Sequence, residues 1–456
     1  MYKANNSKRT RRALHLCSYA LLLNLLSMAV ANAESLTLTA AQQQAIAQDP
    51  WLKGSHLKEQ ALKASGVAAA SLPDPMISVG LANLPTDSFD FAQEAMTQLK
   101  VGVSQQFSRG DSLAIARQQF DQMADQQPQL RAQRQAQLKL LVARQWLAAF
   151  ASQQKLQLIR QNRPLFEQLA AIVAASYSSA QGNTRQQDVL RAQVELARLD
   201  DRLTTLQAEH DGQVASLQQW LHQHDQASPD AKEFGSNWPD FAPMPAALEQ
   251  ALVHKDHASL AAILAPHPAL LAIEQQVKSA ESAVQLVEQK YQPQWSVNAS
   301  YAYRDDDPMG RSRADFFSVG LSVDLPLFTA KRQDQQLESA RLQAEASKTD
   351  KQLMVRQLVA ELLSHWQQLQ GSNQRIANFS QSILPSLAEQ AEAALTAYTH
   401  DDGDFAEVMR ARIARLNAEL EFVDLRYLQA RHLAELQYYF CHLPAQSAQS
   451  YAGASL

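Results

Sequence analysis

Phe317-Ser318-Val319-Gly320-Leu321-Ser322-Val323-Asp324-Leu325 places an apolar side chain at every second position and a small or polar one between. Successive side chains on a strand point to opposite faces, so this spelling makes a sheet with one oily and one wet side. Three other stretches repeat it. Ile77, Val79 and Leu81 alternate with Ser78, Gly80 and Ala82; Leu99, Val101, Val103 and Phe107 alternate with Lys100, Gly102, Ser104 and Gln106. Trp295, Val297, Ala299, Tyr301 and Tyr303 alternate with Ser296, Asn298, Ser300, Ala302 and Arg304. Strands are therefore expected over 76–83, 98–107, 294–304 and 315–325.

Two environments fit such strands. One is a soluble sheet whose apolar side packs on helices. The other is an outer-membrane barrel, apolar towards lipid and polar towards water, which tilted strands of about ten residues are long enough to span. The aromatics Tyr301, Tyr303, Phe316, Phe317 and Phe107 lie towards strand ends, and the connecting loops 84–97 and 305–314 are polar, as outward-facing loops should be. A sheet in lipid must close, because every backbone group needs a partner. Four strands cannot close alone; two copies give a barrel filled by its own side chains, and three give twelve strands around an aqueous lumen.

The remainder of the chain is helical in character. It has 456 residues, 46% hydrophobic and 19% charged, with only 13 Gly, which speaks against an all-β protein and for long helices. A helical transporter is excluded, since the one candidate membrane run sits at the N-terminus. There Lys3, Lys8, Arg9, Arg11 and Arg12 precede an apolar stretch and the small-x-small Ala31-Asn32-Ala33. Residues 1–33 read as a signal peptide cleaved after Ala33. Its loss moves the formal charge from −5 to −10, unsuited to nucleic acid, and removes Cys17. Cys441 alone remains, so no internal disulfide is expected.

The chain is also written twice. Asp49-Pro50 matches His267-Pro268, Pro75 matches Pro293, and Gly102-Val103-Ser104 matches Gly320-Leu321-Ser322, all at an offset of 218. Trp146 matches Trp366 at 220, and Pro164, Tyr177 and Gly182 match Pro385, Tyr398 and Gly403 at 221. The first repeat covers 34–222 and the second 247–443, with a linker at 223–246 holding Pro229, Pro239, Pro243 and Pro245, and a tail at 444–456. Each repeat reads as helix, two strands, very long helix, turn and long helix. The very long stretches, 112–180 and 329–399, should be interrupted or kinked by Pro128, Pro164 and Pro385, giving segments laid end to end rather than one unbroken rod. Heptads follow: Val189, Leu196, Leu203 and Leu217, then Met409, Leu416, Val423 and Ala430. These mean helices packed side by side, like a coiled coil.

Leu72-Pro73-Asp74-Pro75-Met76, then Asn83-Leu84-Pro85-Thr86-Asp87-Ser88-Phe89 and Gln93-Glu94-Ala95-Met96-Thr97-Gln98, resembles the TolC family of outer-membrane efflux proteins, and within it the heavy-metal efflux branch. The resemblance implies a mainly α, internally duplicated chain. Its long helices would build a tunnel, and its four strands would enter a trimeric, 12-stranded transmembrane barrel. It implies an outer-membrane exit channel with a periplasmic helical extension, passively conducting substrates, metal cations among them. The implied partners are a homotrimer of the chain, outer-membrane lipid, a periplasmic adaptor and an inner-membrane pump of the proton-driven RND type.

In that family the two helix-to-helix turns gate the periplasmic tip; here they are 177–190 and 398–409. Tyr398, Asp401, Asp402, Asp404, Glu407 and Arg410 in the second turn, with Arg185 and Asp188 in the first, are the implied gate residues. Arg410 stands where some members carry a second acid. Threefold symmetry would turn one carboxylate into three facing a narrow lumen, attracting cations. The alternative is that the three aspartates merely solvate a turn around Gly403.

No zinc-protease, phosphate-loop, dinucleotide or nucleophile-elbow motif is present, so no catalytic, cofactor-binding or metal-ligating residue is assigned and no enzyme is expected. His254, His257 and His267 read as surface histidines rather than a metal site. The rival reading is a periplasmic coiled-coil adaptor or structural protein without a pore.

Overall fold

Stretches rich in Ala, Gln, Leu and Arg lose little entropy on becoming helical, while the alternating β-branched and aromatic stretches suit a pleated, two-faced surface. The computed structural model describes residues 36–179, 185–221, 234–235, 237–400 and 403–443. The signal segment, Gly182, most of the linker, Asp401, Asp402 and the tail lie outside the described residues. The order is α1 (Leu38–Gln48), α2 (Pro50–Ala69), β1 (Met76–Ala82), β2 (Gln98–Gln106), α3 (Ser112–Ser178) and α4 (Gln186–Leu221). It continues with α5 (Ala246–Val253), α6 (His257–Leu264), α7 (Pro268–Glu288), β3 (Gln294–Tyr303) and β4 (Phe316–Asp324). Last come α8 (Gln333–Asn378), a π-helical turn (Phe379–Ile383), α9 (Leu384–Thr399) and α10 (Phe405–Tyr439).

Two compact units form, and each takes segments from both repeats. One comprises the described residues of Met1–Gln48, Leu138–Phe241 and Gln368–Ala434; the other comprises those of Asp49–Gln137, Ala242–Gln367 and Glu435–Leu456. In the first, Trp146 and Phe150 of α3 stack with ring centroids 5.1 Å apart. Leu38, Ala41 and Ala45 of α1, Leu217 and Leu221 of α4, and Ala430 and Ala434 of α10 bury against them. The Trp146 indole N–H donates to the Leu36 carbonyl at 2.9 Å, so its polar edge is satisfied.

The second unit holds the sheet, a single antiparallel ribbon in the order β1-β2-β3-β4. Its register aligns the alternation across all strands: Ile77 faces Val103, Val103 faces Ala299, and Ala299 faces Val319. One row nearer the loops, Val79, Val101, Tyr301 and Phe317 line up in the same way. The strands expected from sequence thus form within a residue or so of each expected boundary.

The expected interruption is corrected at two of the three prolines. Pro128 and Pro164 lie inside α3, which runs 67 residues without a break. Each proline forfeits one backbone hydrogen bond, but both flanks are anchored. Ala124 and Gln127 are buried beside Pro128, and Phe166 and Leu169 beside Pro164. Side-by-side packing over many turns outweighs one lost bond. Pro385 does disturb its helix. The Leu384 N–H reaches back five residues to the Phe379 carbonyl, and that wider turn accommodates the ring.

His267 also departs from expectation, being buried rather than on the surface. It holds the position that Asp49 holds in the first repeat, and both cap a helix that opens with proline. Asp49 accepts from the Trp51 N–H at 3.2 Å, and His267 Nδ1 accepts from the Ala269 N–H at 3.3 Å. With Nδ1 accepting, Nε2 carries the proton and donates to the Tyr438 carbonyl at 3.2 Å. His254 and His257 are exposed.

Burial lowers the His267 pKa to about 4. The folded chain therefore resists a proton that the unfolded chain accepts below about pH 6.5, and stability falls as pH drops from there towards 4. The full loss is about 3 kcal/mol at most. His267→Asn, which keeps a capping side chain, should flatten this part of the pH profile in denaturant titrations. An unchanged profile would assign the acid sensitivity elsewhere.

Candidate functional site

The apolar face of the sheet is uncovered. Ile77, Val79, Phe317 and Val319 are 73%, 69%, 72% and 66% exposed, and Leu81, Val101, Val103, Tyr301 and Leu321 are exposed as well. A soluble sheet would bury this side against helices, and here none of the described helices covers it. Its outer edges, β1 and β4, each have one neighbour only. None of the described helices is long and apolar enough to cross a membrane.

The polar face lies one residue out of phase. Ser78, Gly102, Ser300 and Ser318 share a row, as do Ser104, Asn298 and Gly320. At the helix-linked end, Arg109 pairs with Asp324 and donates to the Gln292 carbonyl at 2.7 Å, tying the start of α3 to β4 and to the turn before β3. At the other end, arginines knit the two hairpin loops together. Arg304 donates to the Ala95 carbonyl at 2.9 Å and lies 4.0 Å over the Phe316 ring. Arg313 donates to the carbonyls of Ala92 and Glu94, each at 3.1 Å. The Phe91 ring stacks on Tyr303. Sequence reading missed these arginines because their partners are backbone carbonyls, which leave no residue signature.

The turns assigned to the gate lie in the other unit, on a buried core of Leu156, Phe166, Val173, Phe405, Val408 and Met409. Polar ties fix the helices around it. Arg163 of α3 pairs with Asp200 of α4 at 2.8 Å and holds that carboxyl below its ordinary range through the hydrogen bond. Arg412 of α10 pairs with Glu392 of α9 at 3.0 Å.

In the second turn the Tyr398 ring meets Phe405 edge-on at 5.7 Å. A Cβ on Gly403 would stand 2.8 Å from the Tyr398 nitrogen, so the chain can fold back over α9 only with glycine there. Asp404 opens α10, its carboxylate accepting from the Ala406 N–H at 3.3 Å and its carbonyl from the Glu407 N–H at 3.0 Å. Glu407 and Arg410 point outwards, 3.5 Å apart on the same helix, with side chains 61% and 70% exposed. Arg410 Nε also donates to the Ala406 carbonyl at 3.2 Å.

The first turn differs. Asp188 is buried, and its carboxylate accepts from the Arg185 N–H at 3.0 Å while its own N–H donates to the Arg185 carbonyl at 2.9 Å. The carboxylate bond is one half of a capping box, closing the N-terminus of α4, while the backbone carbonyl of Arg185 replaces the other half. Arg185 is exposed and forms no ion pair among the described residues. The structure thus brings Glu407 to Arg410 and Asp188 to Arg185, each within its own turn. Asp401 and Asp402 lie outside the described residues. No cluster of three or more His, Cys, Asp or Glu able to hold a metal occurs among the described residues.

An open four-stranded ribbon with an exposed apolar face, joined to helices of 67 and 46 residues, is the architecture expected of an outer-membrane channel subunit. Comparison with known proteins agrees. Residues 260–440 match the family described as outer membrane efflux protein. Among solved structures, CusC, described for conformational changes accompanying folding and transmembrane channel formation, aligns with a TM-score of 0.72 at 17% identity, covering 89% of this chain and 92% of that one. The Campylobacter jejuni CmeC outer membrane channel aligns at 0.71 and 12% identity, covering 90% and 87%. The open-state Neisseria gonorrhoeae MtrE outer membrane channel aligns at 0.67 and 14%, covering 88% of each chain. No curated protein matches the sequence. Over most of its length the chain therefore has the fold of these channels.

Gly403→Ala should destabilise the second turn by about 1–3 kcal/mol, because the intruding methyl meets backbone rather than a mobile side chain. Gly212→Ala, inside α4 with open space around it, should stabilise by about 0.5–1 kcal/mol. Limited proteolysis at the turn and denaturant titration read the two. Equal behaviour would contradict the close approach at Gly403.

Proposed function

We propose that three copies of this chain close their ribbons into one 12-stranded barrel and act as the exit duct of a tripartite efflux system. The observation that carries this is the exposed apolar face on a sheet with two open edges. In hydrocarbon that face is at home and the edges are not, so each edge needs a neighbour's. Twelve strands leave a lumen, whereas eight would fill with side chains. Pumping energy would come from an RND-type inner-membrane pump reached through a periplasmic adaptor. The motif resemblance to the heavy-metal branch supports metal cations as one cargo class.

The tip turns act as the periplasmic gate in this reading. Glu407 supplies the carboxylate free to face a lumen, and Asp188 holds the start of α4 while adding its charge nearby. The Glu407–Arg410 pair, exposed as it is, is worth about 0–1 kcal/mol and is easily exchanged when a partner docks. Tyr398, Asp404 and Gly403 shape the turn that presents it.

Membrane fractionation with native mass measurement tests the assembly. The expected result is recovery in the outer membrane at three times the mass of the mature chain. A soluble periplasmic monomer would overturn the duct and favour the adaptor reading. For the gate, Glu407→Gln combined with Asp188→Asn should reduce cation preference in single-channel recordings. Unchanged selectivity would remove the gate assignment.

A further inference from the structure

Of all the residues in β1 to β4, only Lys100 and Asp324 are charged. Both belong to the polar face. Asp324 lies at the helix-linked end and is neutralised by Arg109. Lys100 lies in the third row from the hairpin loops, aligned with Gly80 on one side and Ala302 on the other. It is exposed and forms no ion pair among the described residues. Gly80 brings no side chain, and a Cβ there would meet nothing within 4 Å. The next polar row inwards holds Ser78, Gly102, Ser300 and Ser318, none of which carries a charge.

We propose that Lys100 and its symmetry copies form a ring of positive charge that biases the barrel section of the lumen towards anions. The inference rests on the barrel reading above and adds a cargo rule to it. Bare metal cations meet a barrier at this level, whereas anionic or ligand-complexed cargo does not.

Dimensions decide whether such a ring acts across the whole bore. Twelve strands about 4.8 Å apart and tilted by about 40° give a backbone radius of roughly 12 Å. A lysine reaches about 6 Å inwards, leaving its ammonium about 6 Å from the axis. The Debye length at 0.1 M salt is about 10 Å, longer than that distance, so the field reaches the axis only partly screened. The hairpin loops above are acidic on balance: Asp87, Asp90, Glu94, Asp305, Asp306, Asp307 and Asp315 against Arg304, Arg311 and Arg313. The wall therefore changes sign just beneath its mouth. The absolute ion preference sums over both zones and the gate, and the change on altering Lys100 isolates the ring.

The test is the reversal potential of the purified full-length oligomer in planar bilayers under a tenfold KCl gradient. Lys100→Gln should raise the potassium-to-chloride permeability ratio several-fold, Lys100→Glu further, and Lys100→Arg should leave it unchanged. At 1 M salt, where screening acts over about 3 Å, the differences should collapse. Conducting channels with one ratio across all variants would overturn the ring and leave the duct standing. Absence of conductance from the unaltered protein would overturn the duct, and the ring with it.

Discussion

Unpaired backbone at the two sides of the ribbon is the constraint from which the remaining features follow. A strand edge presents N–H and C=O groups that water satisfies and hydrocarbon does not, and each one left bare in lipid costs several kcal/mol. β1 and β4 run seven and nine residues, so several such groups face outwards on each side. In the proposed barrel the apolar face favours lipid and the edges forbid the ribbon to enter alone. The conflict would be resolved by joining edge to edge, with β4 of one copy beside β1 of the next. The closed sheet then has its oily side outwards and its serine rows inwards, the polarity a water-filled duct needs.

Sequence and structure agree most closely where one periodicity decides the outcome. Period two survives in the strands because alternation alone specifies which side chain faces which way, and the register preserves it across all four. Proline was misleading because its local cost is fixed, about 3 kcal/mol, whereas the packing that opposes it is distributed along the helix. His267 carried a legible signal in its alignment with Asp49, a helix-capping position before proline. Its burial was not legible, since it depends on the ring's contact with Tyr438, 5.0 Å away and 171 residues later. The arginines of the hairpin loops were invisible for a similar reason. Arg304 finds its acceptor 209 residues earlier in the chain, at a carbonyl any residue type would supply.

The tip residues show a further limit. Tyrosine, glycine and acid in a turn were recognisable, and the roles within that set became clear only from geometry. Glycine is required by a close backbone approach, one aspartate opens a helix, another is buried accepting from the backbone N–H at a helix start, and one glutamate remains exposed. The same chemistry in three carboxylates thus separates into fold and function by what each oxygen touches. A carboxylate occupied by its own backbone is stabilised as an anion yet contributes less field to a lumen than one standing free.

Duplication sharpens the same distinction in the barrel. At the offset of 218, Gly102 returns as Gly320 and Ser104 as Ser322, so the strand frame is copied closely. Lys100 returns as Ser318, and Gly80 returns as Asn298. The two repeats therefore agree where the sheet must close and disagree where the wall carries charge. A barrel of three chains would be nearly sixfold in its backbone and only threefold in its electrostatics. Closure needs just the backbone to repeat, because hydrogen bonding between strands does not depend on which side chains flank it. The inward side chains are thus free to differ between repeats without opening the wall, which is how a scaffold with so rigid a requirement can still carry a charge pattern of its own.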